Sequence, residues 1–209
     1  MEEMYTLHVR NTSRCHSVNF CLLLSDGDED LNETKSRHKM VFDFKPLVSR
    51  YAEIRPLESH TFVWKNEITL GWAEYGRPWH SNGKDGYHVW RSGYYNRYCP
   101  NMLTFTPAQE FNAFQPIQGT TAPEGKVVIV PENGLKPEHY GISMCLGDLV
   151  TTPVWVTPGT TYSLAKKPQL WMVDACGRQE TGRWLGNVHM VKLTPLEFPH
   201  NSLEHLVTM

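Results

Sequence analysis

The run TFVWKNEITLGWAEYG, residues 61–76, poses the main structural question of the chain. Phe62, Trp64, Ile68, Leu70 and Trp72 share one parity, and a strand places one parity on one face. Lys65, Asn66 and Glu67 break that face at its centre. The pattern predicts two strands, HTFVW (60–64) and ITLGWA (68–73), joined by a hairpin turn at the three polar residues. Parity need not carry across such a turn, so Trp64 and Trp72 are not bound to share a face.

Similar patterning recurs along the chain. MYTLHVR (4–10) alternates, with Tyr5, Leu7 and Val9 on one face. NFCLLL (19–24) is apolar on both faces and predicts a central strand covered on both sides. KMVFDF (39–44), GYHVW (86–90), MLTF (102–105), KVVIV (126–130), GISMC (141–145), VTTPVWV (150–156), TTYSLA (160–165), LWMVD (170–174) and NVHMVKL (187–193) complete the set. Short strands at this spacing, punctuated by DGDED, RPWHSNGKDG, PENG and TPGT, predict a sandwich or barrel. Pro158-Gly159 suits the centre of a type II turn and predicts a hairpin between the Trp155 and Tyr162 strands. Helix signals are few. TPAQEFNAF has an N-cap in Thr106, Pro107 at the first helical position and Gln109 as capping-box partner. TPLE at Thr194 has the same grammar, and Leu47, Val48 and Tyr51 fit one face of a further turn or two. The fold expectation is an all-β, antiparallel two-sheet β-sandwich with one or two short helices, forming a single domain over residues 1–209.

Composition narrows the function classes. The chain has 209 residues, 40% hydrophobic and 20% charged, with a formal net charge of −2. Such a composition is globular, and the balance gives no basic excess to attract nucleic acid. The opening MEEMYTLHVR is acidic and soon polar, unlike a secretory signal, and no apolar run reaches the roughly 20 residues of a membrane helix. A cytoplasmic, soluble protein is expected, with no membrane or nucleic-acid partner. The five cysteines, Cys15, Cys21, Cys99, Cys145 and Cys176, are odd in number, widely spaced and without a CxxC pair. They predict free thiols, not a disulfide framework or zinc ribbon.

MYTLHVRNTS followed by NFCLLL, then HTFVW and a tryptophan-bearing strand, resembles the start of the RhiA-like proteins. GISMCLGDLVTTPVWVTPGTTYSLAKKPQLWM resembles their second half, so the likeness spans residues 5–193. It implies an all-β fold and transfers no catalytic residue. The segment RPWHSNGKDGYHVWRSGYYNRYCP, like the richness in charge, cysteine and histidine, departs from that pattern.

Candidate chemistry is sparse. Counted from Asp26, the acidic loop DGDED puts Leu31 and Arg37 where an EF-hand needs glycine and glutamate. Neither HxH nor HExxH occurs, and His80 and His88 merely flank a loop, so no metal is predicted. Ser143 in GISMC begins like a nucleophile elbow, but it ends in cysteine and lies in a strand. No phosphate-binding glycine motif occurs, so no cofactor is expected. Seven tryptophans are the richer signal. Trp64, Trp72, Trp155 and Trp171, with Tyr87, Trp90 and Tyr94, are the candidate ligand-binding set. Arg91, Tyr94, Tyr95, Arg97 and Tyr98 give one loop the composition of a recognition surface. Glu74 and Asp174 are the candidate acid–base residues, because burial beside apolar neighbours makes a carboxyl useful in proton transfer. Glu67 also lies beside the opening face.

These features predict a cofactor-independent β-sandwich that binds an apolar small molecule in an aromatic-lined cavity. If it is an enzyme, it is a cyclase or isomerase that orders a terpenoid- or polyketide-like substrate without covalent chemistry. The alternative is a non-enzymatic, lectin-like or protein-recognition sandwich. The cavity needs Trp64, Trp72, Trp155 and Trp171 to converge. The recognition module needs a solid core and exposed aromatics between residues 77 and 100.

Overall fold

The computed structural model describes residues 3–27, 46–74, 89–92, 102–175, 177–185, 192–198 and 202–209. At residues 89–92, 110 and 111 it describes the backbone alone. The expected strand KMVFDF, most of NVHMVKL, the tyrosine-rich loop after Ser92, and Tyr87 and Tyr94 lie outside the described residues.

The expected all-β sandwich is what the chain forms, built among the described residues from four sheets instead of two. In the first, β1 (Met4–Arg10) lies between β4 (Ser59–Lys65), antiparallel, and β16 (Glu204–Thr208), parallel. The second has the order β15 (Thr194–Leu196), β14 (Gln169–Asp174), β2 (Val18–Ser25), β3 (Val48–Ile54). The third runs β11 (Leu149–Val150), β10 (Tyr140–Leu146), β5 (Ile68–Glu74), β6 (Val89–Ser92), and β12 (Val154–Trp155) also pairs with β10. The fourth runs β13 (Tyr162–Ala165), β9 (Lys126–Pro131), β7 (Met102–Phe105), β8 (Phe114–Pro116).

Alternation decides what each sheet buries. Leu7, Val9, Phe62 and Trp64 of the first sheet pack on Phe20, Leu22, Leu24, Ile54 and Leu170 of the second. Leu70, Trp72, Ile142 and Met144 of the third pack on Leu103, Phe105, Val127, Ile129 and Leu164 of the fourth. The far face of the second sheet is covered as well: Cys21, Leu23, Trp171 and Val173 cluster with Leu185 and Leu193. β2 is therefore apolar on both faces because both are buried.

Two expected hairpins are not hairpins. β4 belongs to the first sheet and β5 to the third, so Lys65, Asn66 and Glu67 carry the chain from one sandwich to the other. The Asn66 N–H donates to the Glu3 carbonyl at 2.9 Å, and the Glu67 carbonyl accepts from the Gly147 N–H at 2.7 Å. The turn at Pro158-Gly159 does form, with Gly159 at φ 76° and the Thr160 N–H donating to the Thr157 carbonyl at 3.2 Å. It nevertheless joins β12 of the third sheet to β13 of the fourth. Turn chemistry reverses the chain, but burial of the flanking side chains selects the strand that each arm pairs with. A hairpin does form at Leu146↔Leu149. Its first central residue, Gly147, has φ 59°, as a II′ turn requires.

The helix expectations also change. TPAQEFNAF forms a short 3₁₀ helix, Pro107–Asn112. The Gln109 N–H meets the Thr106 carbonyl at 3.1 Å, while the Gln109 side chain bonds Gln115. TPLE supplies β15, and Leu47, Val48 and Tyr51 lead into and occupy β3. In both places pairing with a neighbouring strand outweighs a local helix signal of a few residues.

Gly147 is where the crossing chain and the β10–β11 hairpin approach closely. A Cβ there would stand 2.8 Å from both the N and O of Lys65, and the positive φ adds strain for any other residue. Gly147→Ala is expected to lower stability by about 2–4 kcal/mol, read as a shift of the urea midpoint at unchanged m-value.

Candidate functional site

The tryptophans fill separate places. Trp64 is buried in the first core, stacked on Tyr5 at 5.7 Å and edge-on to Phe198 at 5.8 Å. Trp72 lies in the second core. Trp171 is on the covered far face of the second sheet, where its Nε1–H donates to Ser25 Oγ at 2.9 Å. Trp155, half-buried, lies over Gly141, whose added Cβ would meet the indole at 3.2 Å. These four side chains do not line one hollow. Trp90 pairs with Trp72 in the strand register.

The two candidate carboxylates separate too. Asp174 ends β14 as an exposed residue, and its Oδ1 accepts the Asn19 N–H at 2.9 Å. Burial, with the Asp174 charge adding to it, pushes the Cys21 thiol up to about 12, so Cys21 is an unreactive core residue.

Glu74 is in a different setting. Aromatic rings run outward from the second core: Phe114 on Phe105 at 5.1 Å, Phe105 on Trp72 at 6.3 Å, Trp72 on Tyr140 at 5.8 Å, Tyr140 on His139 at 4.7 Å. The series ends where His139 Nε2 meets Glu74 Oε1 at 3.2 Å. The side chains of His139 and Glu74 are 29% and 20% exposed, reachable from solvent yet largely shielded. Register produces the meeting: Glu74 is paired with Tyr140, and His139 directly precedes β10. Glu138, immediately before the histidine, has φ 54°, a backbone state that costs a non-glycine residue about 1–2 kcal/mol. A carboxylate on Nε2 holds that nitrogen's proton and leaves Nδ1 as the acceptor of the neutral ring. The pair can bind a polar group and move a proton, with Tyr140 as its apolar flank and Trp72 buried behind that ring.

Sequence reasoning selected Trp72 and Glu74 but missed His139. The only local signal was the Lys136-Pro137 turn just before a strand, which places a histidine at the strand's start. Its partner is 65 residues away, and no spacing rule reaches that far.

Of the acidic loop, Asp26 and Gly27 lie within the described residues. Asp26 Oδ1 accepts the Ala165 N–H at 2.8 Å and so links the end of β2 to the end of β13. Among the described residues no three His, Cys, Asp or Glu side chains group as metal ligands, and no helix is long and apolar enough to cross a membrane.

The chain matches no protein-family model, no curated protein and no solved structure.

Burial raises the Asp26 carboxyl above the ordinary carboxylate range, against the lowering effects of the Ala165 N–H, Lys126 and the Gly27 N–H. Its folded state therefore holds a proton more tightly than its unfolded state, and ionisation costs stability. Relative to Asp26→Asn, wild type should be most stable at or below about pH 4 and lose ground as pH rises through the raised value. Urea unfolding of both proteins between about pH 4 and about pH 7 checks this; a constant difference would contradict it.

Proposed function

We propose that the protein is a cofactor-independent small-molecule binder that holds its ligand at the Glu74–His139 pair, not in a hollow among the tryptophans. The observation that carries this reading is the half-buried carboxylate–imidazole contact at 3.2 Å, set against Tyr140 at the end of an aromatic series. The ligand it suits is largely apolar with one polar group: the ring edges receive the apolar part and the imidazole receives the polar group. A terpenoid- or polyketide-like molecule has that character. If turnover occurs, a cyclisation or isomerisation fits best, with His139 moving a proton and Glu74 orienting it. The resemblance to RhiA-like proteins belongs to this proposal as a likeness of strand texture.

The second reading, a lectin-like or protein-recognition sandwich, is favoured by one observation. Trp64, Trp72 and Trp171 are each consumed in packing, in three different clusters.

Titration of tryptophan fluorescence with apolar ligands bearing one hydroxyl or carbonyl, and separately with glycans, tests the two readings. Trp72 contacts Tyr140 directly, so occupancy at the pair should change its emission. His139→Ala and Glu74→Gln are expected to weaken an apolar–polar ligand about tenfold each, or about 1.4 kcal/mol, with unfolding midpoints nearly unchanged. Quenching by glycans alone would sink the leading reading in favour of the second.

A further inference from the structure

His139 has one ring nitrogen left to offer a ligand. Its Nε2 meets Glu74 Oε1 at 3.2 Å, and a carboxylate accepts hydrogen bonds without donating any. The proton of the neutral ring therefore sits on Nε2, and Nδ1 carries a lone pair. Nδ1 has no hydrogen-bond partner among the described residues. Nor is it one of the unpaired polar atoms that the fold seals from solvent there, which are Trp64 Nε1, Thr69 Oγ1, Ser143 Oγ and Asp148 Oδ1. An acceptor without a partner, on a side chain 29% exposed, is open to a molecule arriving from solvent.

The backbone that carries this ring is anchored on both sides of it. The Glu138 N–H donates to the Val156 carbonyl at 2.9 Å, and the Val156 N–H donates to the Tyr140 carbonyl at 2.8 Å. Val156 directly follows β12, and β12 is tied in turn to β13. The Tyr162 phenol accepts the Thr157 N–H at 2.7 Å and donates to the Trp155 carbonyl at 3.3 Å. The His139 N–H itself donates to the Lys136 carbonyl at 3.3 Å. A ring anchored at its backbone, bonded at Nε2 and set edge-on to Tyr140 at 4.7 Å holds its orientation before a ligand arrives. Such pre-organisation sharpens the choice of the group it accepts.

We propose that the polar group this site selects is a hydrogen-bond donor, the hydroxyl of a largely apolar alcohol, over a ketone, ether or carboxylate of the same shape. The inference rests on the reading of the Glu74–His139 pair as the binding site and names the substrate class of that site. The alcohol O–H donates to His139 Nδ1, and the apolar part lies along the Tyr140 ring. A ketone or ether oxygen has only lone pairs to set against the lone pair of Nδ1, so neither atom gains a bond. A carboxylate would add repulsion from the Glu74 charge. Glu74 sets the selection by holding the ring proton at Nε2. A glutamine in its place both donates and accepts, which frees the proton to sit on either nitrogen.

Cyclohexanol, cyclohexanone and methoxycyclohexane share one ring, and only the first donates a hydrogen bond. Their binding is measured by ligand-observed NMR at about pH 8, above the ordinary histidine range, on wild type, Glu74→Gln and His139→Ala. Wild type is expected to bind cyclohexanol at least about fivefold more tightly than either other probe. Both variants should bring the probes to within about twofold of one another. Imidazole nitrogen NMR spectra of unliganded wild type, with the His139 signals identified by their loss in His139→Ala, should show the proton on Nε2 and none on Nδ1. A proton on Nδ1, or a ketone or ether bound by wild type as tightly as the alcohol, overturns the inference while leaving the pair as the binding site. An alcohol preference that survives in His139→Ala overturns it as well. If no probe binds wild type, the reading of the pair falls and the inference with it. The wild-type ratio decides even where a variant fails to fold.

Discussion

The close approach of Gly147 to the Lys65 backbone is the contact on which the two-sandwich arrangement turns. A run that reads as one alternating strand pair is divided there, and its halves enter different sheets. The Glu67 carbonyl and the Gly147 N–H are bonded at 2.7 Å, so the crossing chain and the β10–β11 hairpin are locked together. Without glycine the hairpin would stand off, and β5 could not keep its register on β10. That register lets one face serve two cores: Ile142 and Met144 belong to the second, Leu146 to the first, and Ile68 touches both. Interiors packed at crystal-like density transmit such a constraint with little give.

The same register sets the chemistry at the far end of the pair. Seven cross-strand pairs run from Ile68↔Leu146 to Glu74↔Tyr140, both included, so the lock at one end fixes which residue faces Tyr140 at the other. A slip of one residue would turn Trp72 out of its core and take Glu74 away from His139. The left-handed residue Glu138 adds a local cost just where the histidine is presented. A partly exposed carboxylate–imidazole contact returns little stability of its own. A costly backbone state holding a weakly stabilising pair is more readily understood as presentation than as stabilisation.

What could be read from the sequence follows from how far each signal reaches. Alternation in MYTLHVR and the two-sided apolarity of NFCLLL are properties of single strands, and both predicted burial correctly. The type II turn at Pro158-Gly159 was legible because it is four residues long. Pairing was not legible. The arms of that turn, and those of the Lys65–Glu67 turn, find partners far away in sequence, and nothing local distinguishes a hairpin from a crossing. The 3₁₀ turn at Pro107 was recognised as helical, but TPLE was not recognised as strand, since four residues cannot outweigh a neighbouring strand. At the candidate site, Trp72 and Glu74 were visible as a tryptophan and a carboxylate in one strand. His139 was not, because its role exists only through the register of β10. Trp64 and Trp171 were misleading for a related reason: an aromatic in a strand looks the same whether it lines a space or fills one.

That last ambiguity bears on where a ligand can go. Where Trp64, Trp72 and Trp171 are consumed by packing, admitting a molecule to those cores means displacing one of them, at a cost of several kcal/mol. A strand end carries no such penalty. The end of β5 offers a polar pair with Tyr140 already beside it. It belongs to the strand pair held in register by Gly147. In this fold the rigidity that fills the cores is what leaves that place pre-organised, and pre-organisation lowers the entropy that binding would otherwise lose.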